Sequence, residues 1–173
     1  YFSIINGKFL EKKSYHLPNS INFKLYKNFI SKFYSSIKIK KNKKKTILIN
    51  VHNFVGYDNK IIYNYFESLS KIIFRNLNDA YALSDYLIIL KFKAIVNNKQ
   101  QKTILKIFKK KFKFTKILLA NNFYRRHLPI EIFAFLIKPK IMISLNTTGD
   151  WVIKKILPKI KIYDISLFFL EFW

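Results

Sequence analysis

The run from Pro129 to Asp164, PIEIFAFLIKPKIMISLNTTGDWVIKKILPKIKIYD, reads as helix, strand, hydroxyl-rich loop, helix, strand, and that alternation decides the fold. Pro129 suits the first turn of a helix, because its missing N–H is not needed there and its φ is already helical. Glu131 falls in the same turn. Lys138-Pro139 closes the helix, and the apolar run Ile141-Met142-Ile143-Ser144-Leu145 is too short for a second helix but right for a buried strand. Asn146-Thr147-Thr148-Gly149-Asp150 follows as a loop, with a helix expected from Trp151 to Leu157, stopped by Pro158, and a last strand from Lys159 to Ile165. A loop that leaves a strand and opens a helix directs free backbone N–H groups and the positive dipole end at whatever lies above the sheet, which suits an anion. The same letters are also explained by Thr148 or Asp150 acting only as a helix cap.

Working outward, the same alternation continues upstream. Thr46 to Val51 is a strand, Gly56-Tyr57-Asp58 a turn with Asp58 as the N-cap, and Ile61, Ile62, Tyr65, Phe66, Leu69, Ile72 and Ile73 recur at the three- and four-residue spacing of an amphipathic helix to about Leu77. Asp85 opens a strand from Tyr86 to Leu90 that ends near Lys93. A helix over Lys99 to Phe112 turns Ile104, Leu105, Phe108 and Phe112 inward and Lys106, Lys109, Lys110 and Lys111 outward, before a strand from Lys116 to Ala120. Parallel neighbours need crossovers, so this pattern predicts an α/β domain with a doubly wound parallel sheet. Ligands of such sheets bind outside the carboxyl ends of the strands. There the chain carries His52-Asn53, Lys91-Phe92-Lys93, Asn121-Asn122 and Asn146-Thr147-Thr148. No G-x-G-x-x-G follows the first strand and no phosphate-loop lysine motif occurs, so the common dinucleotide and triphosphate sites are unsupported.

Residues 1–45 are less regular. They are expected to be the remnant of an upstream domain and a basic linker, since the chain starts at Tyr1 rather than Met and Lys38 to Lys45 is a charge run read as a solvated linker or loop, or as a phosphate or lipid-headgroup patch. Ile4-Ile5-Asn6-Gly7 ends in a turn signal, and Phe23 to Phe33 has helical spacing. Residues 46–166 form the expected Rossmann-like domain, and 167–173 an apolar tail that either packs back or docks on a membrane. The 33 Lys+Arg against 9 Asp+Glu give a net charge of +24 and call for an acidic partner, nucleic acid, anionic lipid, or a nucleotide or polyanionic glycan, although a chain so rich in Lys, Ile and Asn also has the stamp of an AT-rich coding sequence. With no cysteine, disulfides and thiolate chemistry are excluded. No apolar run reaches the roughly 20 residues that a spanning helix needs. His16, His52 and His127 lack the spacing of metal ligands; of the three, His127 beside Arg125 and Arg126 is best placed to meet a phosphate.

Glu131 either complements the dipole at a helix start or accepts hydrogen bonds from ribose hydroxyls. It and Thr147-Thr148 each stand at a helix amino end, one strand apart, so one could hold the sugar and the other the phosphate of a nucleotide. The run Leu128-Pro129-Ile130-Glu131, then Lys138-Pro139-Lys140, then Ser144-Leu145-Asn146-Thr147-Thr148 resembles the carboxyl-terminal nucleotide-binding half of the bacterial sialyltransferase and capsule polysialyltransferase family. The resemblance implies a Rossmann-like half of a GT-B glycosyltransferase, with CMP-sialic acid as donor substrate, a glycan as acceptor and no cofactor. It makes Glu131 the ribose ligand and Thr147 and Thr148 the phosphate ligands. In that family a histidine meets the departing CMP phosphate and an upstream carboxylate is the general base. Here Lys93 stands at the histidine position and Asn6 at the base position, where an amide has no basic lone pair near neutral pH. The location so implied is cytoplasmic, peripheral on the inner face of a membrane. The rival reading is an RNA-associated basic protein such as an organellar ribosomal component, with nucleic acid as partner; a basic module that attaches to an anionic membrane surface is the third.

Overall fold

The structure, a computed structural model, describes residues 2–5, 8–11, 22–34, 44–51, 58–93, 96–120, 128–145, 148–166 and 168. In chain order the elements are β1 (Phe2–Ile5), β2 (Lys8–Glu11), α1 (Phe23–Tyr34), β3 (Lys45–Val51), α2 (Asn59–Ala80), a 3-10 turn (Leu83–Asp85), β4 (Tyr86–Phe92), α3 (Asn98–Lys111), β5 (Lys116–Leu119), α4 (Ile130–Ile137), β6 (Ile141–Ser144), α5 (Thr148–Ile156) and β7 (Lys161–Asp164). The strands form one seven-stranded sheet in the order β2-β1-β7-β6-β3-β4-β5. From β7 to β5 all pairings are parallel, as the alternation predicts. β1 continues the parallel run beside β7, and β2 closes that edge antiparallel to β1.

Local chemistry explains why the helices begin where they do. The Asp58 carboxylate accepts from the N–H of Lys60 at 2.6 Å and caps α2. Asn97 does the same for α3, its Oδ1 2.8 Å from the N–H of Gln100. Such caps satisfy amide hydrogens that have no partner within the helix. Each of the strands β3 to β7 is lined on both sides, as a parallel strand must be. Ile47, Ile49, Ile88, Leu90 and Ile143 pack under α2 and α3; Leu48, Leu87, Ile89, Met142 and Ile162 pack under α1, α4 and α5.

Several boundaries differ from the sequence reading. Helix α5 starts at Thr148 rather than Trp151, so Thr148-Gly149-Asp150 is the first turn and not part of the loop. Asp150 is therefore the third helical residue rather than a cap, and it is fully buried; a carboxylate there favours the helix by meeting its positive end. Pro129 sits one residue outside α4, with ψ at 149°, and its carbonyl accepts the first helical bond from Phe133 at 3.0 Å. β6 ends at Ser144 and β7 is limited to Lys161–Asp164, since Lys159 lies in the turn after Pro158. The segment ahead of residue 45 joins the same sheet and core: β1 pairs with β7, Ile30 of α1 is fully buried, and the rings of Phe23 and Trp151 meet edge to face at 5.5 Å. Of the apolar tail, Phe168 is buried, its ring 5.6 Å from that of Tyr65.

Candidate functional site

The five parallel core strands are ordered so that the chain builds β3, β4 and β5 in one direction, then returns to place β6 and β7 on the other side of β3. β3 and β6 are therefore neighbours whose onward connections part. β3 leads into α2 on one face, and β6 leads into α5 on the other. In open parallel sheets a ligand crevice is expected at such a switch point, outside the carboxyl ends of the two strands.

Directly beneath this crevice lies a row of polar side chains. Asn50 of β3 is in register with Lys91 of β4, and Ser144 of β6 with Asp164 of β7. The two halves of the row are joined by a hydrogen bond in which Asn50 Nδ2 donates to Ser144 Oγ at 3.2 Å. Each is buried, with exposures of 6 % for Asn50, 5 % for Lys91, 0 % for Ser144 and 2 % for Asp164. Two residues earlier, the same strand faces carry Leu48, Ile89, Met142 and Ile162 of the core under α1, α4 and α5. The row thus marks where one core layer turns from apolar to polar, at the carboxyl edge. Ser3 of β1 occupies the next register position beside Asp164.

Most buried polar groups are hydrogen-bonded. Asp164 Oδ1 accepts from the N–H of Ser166 at 2.8 Å, and Lys91 Nζ donates to the carbonyl of Phe92 at 3.2 Å. Burial lowers the Lys91 ammonium from its usual value, because the charged form is the one that loses water. Asp150, at the start of α5 and also fully buried, adds a second carboxyl group to this end of the molecule.

Of the residues expected to form the site, Glu131, Thr148 and Lys93 stand at this edge. Glu131 is partly exposed in the first turn of α4, and Thr148 is the first residue of α5. The two helices pack against each other. Both run antiparallel to the strands, since α4 leads into β6 and α5 out of it, so both amino ends point to the carboxyl edge. Lys93 is exposed immediately beyond β4. Asn6, Thr147 and the three histidines lie outside the described residues. Asn50, Ser144 and Asp164 were not singled out from the sequence. The signal lies in the strand ends, since four of the five core strands carry a polar residue at or next to the carboxyl end: TILINV, YLIILKF, IMIS, KIYD.

Among the described residues no group of three or more His, Cys, Asp or Glu gathers as a metal site would require. A cavity of about 790 Å³ lies at the opposite edge, between the carboxyl ends of α2 and α3, lined by Asp79, Tyr81, Ser84, Phe112 and Phe114 among others. It is remote from the crevice by construction, because those helix ends stand where the strands begin. No known protein-family model matches the chain, and no curated protein matches it either.

Proposed function

We propose that this domain binds the nucleotide half of a nucleotide-sugar across the carboxyl edge of its sheet, and that it is a glycosyltransferase domain of the sialyltransferase type with CMP-sialic acid as donor and a glycan as acceptor. The observation that carries the reading is the divergence of α2 and α5 from the adjacent strands β3 and β6. A crevice there, with two helix amino ends above it, favours a ligand carrying both hydroxyls and phosphate. In this reading Glu131 accepts from the ribose hydroxyls, and the N–H and hydroxyl groups of Thr147 and Thr148 donate to the phosphate. Lys93 offers an ammonium to the departing CMP phosphate, a role for preorganised positive charge where negative charge develops. Asn6 at the base position cannot take the acceptor proton, so nucleotide binding is the activity expected of the chain and turnover is not. The location in this reading is cytoplasmic, with contact to the inner face of a membrane; no helix among the described residues is long and apolar enough to cross a bilayer, so that contact is peripheral.

Calorimetric titration with CMP and with AMP tests the proposal. Hydrogen bonds to a charged partner are worth about 1.5–3 kcal/mol. Glu131→Ala should therefore weaken CMP binding about 10- to 100-fold, and Thr147→Val with Thr148→Val should do the same. A folded chain that binds no CMP, or binds CMP and AMP equally and ignores Glu131→Ala, overturns the reading.

A further inference from the structure

All five core strands start at one edge, so whatever precedes each strand collects there. Lys45 opens β3, Lys116 opens β5, Lys140 stands just before β6 and Lys161 opens β7, and all four are exposed. Four of the five parallel strands contribute, while β4 opens with Tyr86 behind the exposed Asp85; at about 4.8 Å spacing the line from β7 to β5 is about 19 Å wide. The turn between α3 and β5 extends it. Within KKKFKFTK, residues 109–116, five of eight positions are lysine. Phe112 of that turn is 1 % exposed, whereas Phe114 is 92 % exposed.

Helix dipoles account for part of this pattern, since Lys109, Lys110 and Lys111 sit in the last turn of α3 where cations are favoured. They do not account for the cations at the strand starts, nor for a phenylalanine ring standing out among them. An exposed ring flanked by Lys113 and Lys116 on a basic edge fits a surface that is negatively charged at its face and apolar beneath. We propose that the amino edge of the sheet docks on an anionic lipid bilayer, with Phe114 entering the interface and the strand-start lysines meeting headgroup phosphates. This identifies the surface behind the peripheral contact named above and does not depend on the nucleotide site, which faces the opposite way and stays open to solution.

A single-stranded nucleic acid would share the phosphate chemistry, with Phe114 as a stacking plane. The surroundings disfavour it. Successive bases of a strand need several stacking rings, and among the described residues no other aromatic ring is as exposed as Phe114.

The test is flotation of the full chain with phosphatidylcholine vesicles, alone and with phosphatidylglycerol added. Binding is expected only with the anionic lipid. Phe114→Ser should weaken it about tenfold, and Lys113→Glu with Lys116→Glu about 100-fold or more. Lys60→Glu with Lys99→Glu makes the same change in net charge at the amino ends of α2 and α3 and should leave binding close to wild type. All three variants alter exposed side chains and should melt with the wild type; CMP titration of Phe114→Ser should match the wild type, which separates this proposal from the nucleotide reading. Absence of flotation, equal losses from the two charge-reversal pairs, or indifference to Phe114→Ser overturns it. So does tighter binding of a poly-uridine oligonucleotide that falls with Phe114→Ser while vesicle binding does not.

Discussion

The two edges of the sheet treat polar side chains in opposite ways. At the carboxyl edge Asn50, Lys91, Ser144 and Asp164 are drawn in between sheet and helices. At the amino edge the lysines stay in water, two of them resting on tyrosine rings: Lys45 lies 5.8 Å from the centre of Tyr86, and Lys161 lies 5.4 Å from that of Tyr81. Taking a polar group out of water costs free energy unless its partners are rebuilt inside, and a charge costs more. Exposed cations incur little of that cost and return little stability. The edge that tolerates four buried polar residues is thus held by specific partners, while the other is free to vary in sequence without loss of fold. A constraint on stability and an interaction surface occupy opposite ends of one sheet.

The contrast breaks most visibly at Asp164. Its carboxylate accepts from Ser166 at 2.8 Å and is 2 % exposed. Asp164→Ala should cost about 2–3 kcal/mol, which for a chain of this length lowers Tm by about 6 °C; Lys140→Ala at the other edge should stay within about 0.5 kcal/mol. Differential scanning calorimetry of the two variants gives the comparison, and equal losses would end it. Next in size is Asn50→Ala, which leaves the buried Ser144 hydroxyl without its amide donor and should cost about 1–2 kcal/mol. A double-mutant cycle with Ser144→Ala by urea unfolding should return a coupling of about 0.5–1.5 kcal/mol. No coupling would mean that the 3.2 Å contact does not tie β3 to β6.

Lys91 gives a smaller effect with a distinctive dependence on pH. Burial lowers its folded value below the ordinary 10.5, so between the two values the unfolded chain holds more protons than the folded one. Stability from this group therefore rises with pH through that window, and its penalty is fully present below the folded value. Lys91→Met should be more stable than wild type near neutral pH, with the gap narrowing as pH approaches the ordinary lysine range. Urea midpoints for the two proteins across that range check it. A gap of constant width would mean that Lys91 does not titrate differently in the folded state.

Much of the fold was legible because its determinants are local. The apolar runs TILINV and YLIIL and the three- and four-residue spacing of α2 and α3 appear in the sequence as they do in space, and parallel pairing follows from the helices between strands. Strand order was not legible, since the placement of β6 beside β3 depends on residues about ninety positions apart and leaves no local trace. The hairpin β1–β2 escaped notice apart from its Asn6-Gly7 turn signal, because four-residue strands are too short to display a period. The polar row is illegible in the sequence for the same kind of reason. Asn50 or Ser144 alone in an apolar strand looks like an irregularity; only the register makes four such irregularities into one feature. Thr148-Gly149-Asp150 reads as loop by residue type, yet burial of Asp150 draws it into the first turn of α5.

A small effect with its own pH signature is predicted at the amino edge, where the contrast should be hard to see. The hydroxyls of Tyr81 and Tyr163 are 2.9 Å apart, and Lys161 Nζ donates to that of Tyr81 at 3.1 Å. Tyr81→Phe removes both contacts, but this side chain is only partly buried, so water replaces much of what is lost; the cost should be about 0.5–1 kcal/mol, below that of Asn50→Ala. Its signature is alkaline. Burial, and then the Tyr81 hydroxyl, push the Tyr163 phenol above its ordinary 10.0. The folded chain therefore holds the Tyr163 proton longer than the unfolded one, so stability is fully present below pH 10 and is lost as pH rises beyond it. Without the Tyr81 hydroxyl that decline should become shallower, though it should not vanish, because burial is the larger cause. Urea midpoints from about pH 8 to about pH 11 span the ordinary tyrosine value. A decline as steep as the wild type would show that the tyrosine pair is not coupled, and a loss near neutral pH as large as that of Asn50→Ala would show that the amino edge constrains the fold as strongly as the row beneath the crevice.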